Sequence, residues 1–128
     1  MPVKYLSPEW IDAYNAAVAS DDSVRKALKG KSAVIQMVVT DAPSGEVRYC
    51  LRIGDGTASV SLGDASDAEV TIRQSYETSA QVNRGELDGA KAFTQGKVKI
   101  TGKMMKMMQL RAPLAEVQKV LDTIDTEY

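Results

Sequence analysis

The chain contains no histidine and a single cysteine, Cys50, among 128 residues. Without histidine there is no Ser-His-Asp or Cys-His nucleophile system, no neutral-pH proton shuttle and no imidazole metal ligand. One cysteine excludes an intrachain disulfide, a thiolate zinc cluster and a CxxC redox pair. Aromatic residues make up only 5% of the chain, and 16 Lys and Arg stand against 17 Asp and Glu. Neither a base-stacking surface nor a broad cationic field for nucleic acid is expected. No apolar run approaches the ~20 residues of a membrane span. The start, Met1-Pro2-Val3-Lys4-Tyr5, lacks the apolar stretch and cleavage site of a secretory signal, and Asp125-Thr126-Glu127-Tyr128 is not a peroxisomal address. A cytoplasmic location is the expectation. What is present, 44% hydrophobic and 26% charged residues, is ordinary for one folded domain over residues 1–128.

The patterning predicts strands in the middle and helices at both ends. Ser7-Pro8-Glu9 reads as a capped helix start, with Trp10, Tyr14, Ala17 and Val18 on one face. Asp21-Asp22 restarts a short helix carrying Val24, Ala27 and Leu28 and ending at Gly30. Ala33 to Val39 is a β-branched, largely buried strand. After a turn over Asp41 to Gly45, Val47, Tyr49, Leu51 and Ile53 alternate with Glu46, Arg48, Cys50 and Arg52. Cys50 therefore falls on the polar side, where a partly exposed, unreactive thiol is expected. Gly54-Asp55-Gly56 signals a hairpin into Ala58, Val60 and Leu62, and a strand with Val70 and Ile72 follows the loop at Gly63 to Asp67. The four strands read as an antiparallel meander, solvated on one face. Ser75 caps a helix through Asn83, and Glu86 to Phe93 forms another, carrying Leu87, Ala90 and Phe93. Lys97 to Thr101 is a fifth strand. Met104 to Leu110 is helical, and Pro113 is expected to open a last helix with Leu114, Val117, Leu121 and Ile124 at 3-4-3 spacing. The fold class is α+β, a five-stranded, mainly antiparallel sheet with helices on its apolar face.

Chemical motifs are scarce. Gly54-Asp55-Gly56 and Gly96-Lys97 match neither a P-loop nor a dinucleotide loop and read as turn glycines. Asp64, Asp67 and Glu69 lack the ligand order of a calcium loop. Asp88 and Glu86 show no spacing that pairs them for acid-base work. No catalytic residue, metal site or cofactor is assigned.

The methionines stand out. Lys103-Met104-Met105-Lys106-Met107-Met108-Gln109-Leu110 places four of the six in five residues. Projected at about 100° per residue, the apolar arc is roughly 220° wide, twice what a surface helix needs. Three readings stay open: core filling on two sides, the wall of an apolar cavity, for which the adaptable thioether is suited, and an interfacial helix flanked by Lys103, Lys106 and Arg111 toward anionic lipid.

From Asp67 onward the chain resembles the sterol carrier protein type-2 family. The resemblance is carried by Asp67-Ala68-Glu69-Val70-Thr71-Ile72, Gly85-Glu86-Leu87-Asp88, Ala92-Phe93, Gly96-Lys97-Val98-Lys99-Ile100, Gly102 and Leu110. The earlier layout, two helices and then a meander, also resembles the family. Lys103 departs from it, standing where Asn or Asp is frequent. The resemblance implies a sheet and helices enclosing an apolar tunnel for sterols, fatty acids or acyl chains, with no catalysis and no cofactor.

These readings converge on a carrier of a hydrophobic small molecule. Its expected ligand-binding residues are Phe93, Met104, Met107, Met108, Leu110, Leu114, Val117 and Leu121 from the helices, with Tyr49, Leu51, Val60 and Val98 from the sheet. The alternative is an accessory domain that offers an apolar groove to a partner protein or enzyme. A small hydrophobic adduct in freshly purified material favours the carrier.

Overall fold

In the computed structural model, residues 2–43, 45–54 and 56–128 are described, with Gly89 and Ala90 described by backbone only. In chain order the elements are β1 (Val3–Lys4), α1 (Pro8–Ala19), α2 (Asp22–Leu28), β2 (Ala33–Ala42), β3 (Gly45–Gly54), β4 (Thr57–Leu62), β5 (Val70–Ser75), α3 (Tyr76–Asn83), α4 (Gly89–Thr94), β6 (Val98–Gly102), α5 (Met104–Leu121) and β7 (Thr126–Glu127). Asp55 of the expected hairpin, Ser44 of the preceding turn and the side chain of Ala90 lie outside the described residues.

The helix starts form where polar side chains satisfy first-turn N–H groups. Ser7 Oγ accepts from Trp10 N at 3.2 Å, Asp21 Oδ1 from Val24 N at 2.9 Å and Ser75 Oγ from Thr78 N at 3.2 Å. Trp10, Tyr14, Val18, Val24 and Leu28 are buried, as their spacing predicts.

The five-stranded sheet has the order β4-β3-β2-β5-β6. β2, β3 and β4 form an antiparallel meander, but β5 pairs parallel to β2, which corrects the expectation of a four-stranded meander. The cause is the connection after β4. Gly63 N donates to Arg48 O and Glu69 N to Val34 O, so residues 63–69 travel back across the polar sheet face instead of turning a hairpin. Gln36 holds this crossing, donating to Gly63 O (3.2 Å) and accepting from Ala65 N (2.6 Å). Arg52 grips Asp67 through both carboxylate oxygens, at 2.9 and 3.0 Å. The face is therefore not uniformly solvated. Cys50, expected to be partly exposed, is buried beside Ser61.

Two further corrections concern the helices. α4 begins at Gly89, three residues later than expected. α5 runs unbroken through Pro113, which is buried inside it and does not open a new helix; burial of the flanking apolar stripe outweighs the hydrogen bond that proline removes. β1 and β7, unforeseen, pair parallel and tie the two ends of the described chain together.

On the outer edge of β4, Asn15 of α1 accepts from Val60 N (2.7 Å) and donates to Val60 O (2.9 Å). The helix thereby supplies partners to an edge strand that would otherwise present open backbone groups. Around Trp10 the rings of Tyr5, Tyr14 and Tyr49 stand edge-on, with centroids at 5.0, 5.3 and 5.8 Å. Burial pushes the phenols of Tyr5, Tyr14 and Tyr49 well above their ordinary range. Neutral phenols are thus favoured in the folded state. Their contribution is fully present below pH about 10, where the unfolded phenols begin to ionise, and is lost as pH rises toward the folded values.

Gly102 is fixed by a close approach. Its φ is +107° and a Cβ there would meet Glu69 O at 2.3 Å and Val70 Cα at 3.0 Å. Gly85 also has positive φ but open space around it. Gly102→Ala should therefore destabilise by about 3 kcal/mol or more and Gly85→Ala by about 1 kcal/mol; urea titration followed by Trp10 fluorescence reads both. Equal losses would show that strand approach at Gly102 adds nothing to backbone strain. In an alkaline titration, phenolate absorbance for the three buried tyrosines should rise only together with loss of folded-state Trp10 fluorescence.

Candidate functional site

Strand register sets out the inner sheet face in rows. Leu62 pairs with Tyr49, Tyr49 with Met37, Met37 with Ile72 and Ile72 with Ile100, one row across all five strands. The next row, Val60, Leu51, Ile35 and Val70, is closed, each residue at 5% exposure or less. On the other side Val39 and Val98 are buried as well. In that row Val47 and Gln74 are half-buried, and so are Met37, Ile72 and Ile100 in the row before it.

α5 packs against α1, α2 and β5. Its inward stripe is Leu110, Val117 and Leu121, all buried. Lys106 reaches Ser32 O at 2.9 Å, and Gln118 donates to Asn83 O at 3.1 Å. These two contacts fix the rotation of the helix. Met104, Met107, Arg111 and Leu114 fall within roughly 40° of Gln118 at 100° per residue, on the flank turned toward α3. Of these, Met107 and Leu114 are half-buried against the core. Met37, Ile72 and Ile100 on the sheet and Met107 and Leu114 on the helix are all partly buried against the same core.

The twelve residues expected to line a cavity separate into three groups. Tyr49, Leu51, Val60, Leu110, Val117 and Leu121 belong to one buried core cluster, and Val98 is also buried. Met107 and Leu114 are partly buried against that core. Phe93, Met104 and Met108 are surface residues, with Met108 71% exposed. The helix rotation explains this: Met108 lies almost opposite the buried stripe, so the wide apolar arc faces solvent on one side and does not wrap a tunnel. Sequence reasoning did not single out Met37, Ile72 and Ile100, which are half-buried. Met37 shares the parity of Ile35 and Val39, so alternation assigned its face; nothing in a uniformly apolar strand marked it as uncovered. Two open depressions lie elsewhere. Arg25, Lys26, Lys29 and Lys31 line one, and Ser20, Asp21, Glu116 and Lys119 contribute to the other.

The start of α5 is held electrostatically. Glu69 Oε2 lies 3.4 Å from Lys106 Nζ and 3.5 Å from Lys103 Nζ, while Oε1 accepts from Val34 N at 3.3 Å. Burial opposes ionisation of Glu69, but Lys106, the Val34 N–H and Lys103 together outweigh it and hold the carboxyl below its ordinary range. Among the described residues no cluster of three His, Cys, Asp or Glu side chains is placed to hold a metal ion. No helix is long and apolar enough to cross a membrane.

A family model described as the SCP-2 sterol transfer family matches residues 11–115. The chain belongs to that family. Among solved structures it is similar to a crystal structure of sterol carrier protein 2, with 20% identity, a TM-score of 0.80, and 94% of this chain and 99% of that one covered. Palmitated sterol carrier protein 2-like 2 of Aedes aegypti shares the fold at 20% identity and a TM-score of 0.58, over 94% of this chain and 99% of that one. A sec-alkylsulfatase of Pseudomonas sp. matches at 24% identity and a TM-score of 0.57, over 78% of this chain but 14% of the enzyme. No curated protein matches. The sterol carrier fold accounts for the five-stranded sheet under helices.

Lys103, the departure from the family's frequent Asn or Asp, is the N-cap of α5 and makes no side-chain cap hydrogen bond. Asn at this position can accept from the first turn without placing a second carboxylate beside Glu69. Lys103→Asn should stabilise the protein by about 1 kcal/mol, because the exposed bridge to Glu69 contributes little. The expected rise in melting temperature is about 3–5 °C; a fall would show that the Lys103 pairing matters more than the cap.

Proposed function

We propose that this protein binds and carries a single-chain hydrophobic molecule, such as a fatty acid or acyl ester, in the groove between the inner sheet face and α5, with the chain acting as one lipid-binding unit. The observation that carries the reading is a set of half-buried apolar residues, Met37, Ile72 and Ile100 on the sheet and Met107 and Leu114 on α5, packed against one core in a protein of the sterol-transfer family. Covering such a set yields about 25 cal/mol per Å² of apolar surface and requires no placed polar group. Selectivity then follows ligand length and girth more than headgroup. Methionines at two of the five positions suit ligands of varied shape, because their unbranched side chains repack easily. Palmitate, the adduct of the Aedes aegypti protein, is the natural first ligand to try. The absence of histidine and of a paired thiol favours carriage over catalysis.

A second reading rests on the alkylsulfatase, in which this fold occupies a small part of an enzyme chain. There the same groove would serve as an accessory surface for a partner.

Displacement of a fluorescent fatty acid by palmitate tests the carrier directly. Ile100→Trp, on the edge strand beside the groove, should fill it and weaken binding at least roughly fivefold, since it takes the ligand's volume. The melting temperature should stay within a few degrees. Met108→Phe, on the opposite side of α5, should bind as the parent does. Loss of binding in Met108→Phe with none in Ile100→Trp would place the ligand elsewhere.

A further inference from the structure

The core around Trp10 holds polar groups that the fold leaves unused. Trp10 is 1% exposed, and among the described residues its indole Nε1 is a fully buried donor without a hydrogen-bond partner. The rings packed on it belong to Tyr5, Tyr14 and Tyr49. Tyr5 shares a hydrogen bond with Ser79 Oγ. The hydroxyls of Tyr14 and Tyr49 make none among the described residues, although these residues are only 5% and 6% exposed. Buried polar groups are nearly always paired, so three unpaired ones on touching rings call for a partner. The surroundings are uncharged: burial and a neighbouring tyrosine act on the phenols of Tyr14 and Tyr49, and no lysine, arginine or carboxylate does.

This cluster adjoins the residues proposed to take the ligand. Tyr49 pairs with Met37 in the row that continues through Ile72 to Ile100. Three strand spacings, about 14 Å, separate Ile100 from Tyr49. An apolar chain lying along that row from β6 ends at Tyr49, whose ring centroid is 5.8 Å from that of Trp10.

We infer that Trp10 Nε1 and the hydroxyls of Tyr14 and Tyr49 receive the oxygen-bearing end of the ligand, and that this end is uncharged, an alcohol or an ester carbonyl. The inference rests on the carrier reading and names the ligand's polar end. An indole N–H only donates, whereas a phenol donates and accepts. Together they suit a hydroxyl, which needs both, and a carbonyl, which needs donors. An ionised carboxylate would be buried there without a cation, at high cost; an ionised fatty acid therefore lies with its charged end outward. The preference is modest and adds to selection by length and girth, because each hydrogen bond to the ligand replaces one to water.

Trp10 is the chain's only tryptophan, so its indole N–H gives a single proton resonance. Titration of the full chain with dodecanol should move that resonance downfield, because a hydrogen bond deshields the proton. Dodecane, and dodecanoate with its charged end outward, should bind without the downfield shift. In displacement of a fluorescent fatty acid, Trp10→Phe and, separately, Tyr49→Phe should weaken dodecanol about fivefold and dodecane by less than about twofold. Tyr49→Phe removes an unpaired hydroxyl and keeps the ring, so it stays folded even if the smaller ring of Trp10→Phe unsettles the core. An indole proton that saturating dodecanol leaves in place or moves upfield, onto a ring face, would overturn the assignment. So would a contact from that proton to a bound water that persists at saturation, or variants that bind dodecanol as the parent does. Each of these leaves the carrier reading intact. Displacement by none of the three compounds would overturn the carrier reading, and the assignment with it.

Discussion

At the start of β5 the backbone of Glu69 and that of Gly102 lie so close that no side chain fits between them. Much of the molecule is arranged around this approach. Glu69 O accepts from Lys103 N at 3.0 Å, and its carboxylate gathers Lys103, Lys106 and the Val34 N–H. One residue thereby joins the end of the crossing loop, the start of β2, the end of β6 and the first turn of α5. With that end of α5 fixed, Gln118 against Asn83 sets its other half. The rotation that follows decides which methionines meet the sheet and which meet solvent.

That rotation divides the chemistry of a single helix. Its buried stripe closes the core through Leu110, Val117 and Leu121, one flank holds Met107 and Leu114 partly buried against that core, and the outer face exposes Met105 and Met108. A helix with an apolar arc this wide would be a liability in a protein with no further use for it, because exposed apolar patches promote association. Here each side meets something different: the core, the half-buried flank proposed to take the ligand, and solvent. The protein needs no reactive group for such work, in keeping with a chain that contains no histidine and buries its single thiol.

The sequence showed local structure well wherever a single residue enforces it. Ser7 and Ser75 cap the helices they were expected to cap, and the alternation from Val47 to Ile53 separates the two faces of β3, although Cys50 on the polar one is buried. Family membership was likewise legible, through the run from Gly85 to Gly102. The crossing after β4 was not. A seven-residue loop of Gly, Asp, Ser, Ala and one Glu looks alike whether it turns a hairpin or traverses a sheet; the difference lies in Gln36 and Arg52, which hold it from distant strands. The rotation of α5 escaped detection for a related reason. Periodicity shows that an arc is apolar, and only tertiary partners such as Ser32 and Asn83 select the part of it that turns inward.

The methionines themselves report most directly on the division of α5. With methyl-13C methionine, each resonance can be assigned by substitution and followed by NMR during titration with palmitate. The groove account predicts that Met37 and Met107 shift together and saturably, while Met105 and Met108 keep their free-state positions. Shifts confined to Met105 and Met108, with Met37 unmoved at saturating palmitate, would contradict it.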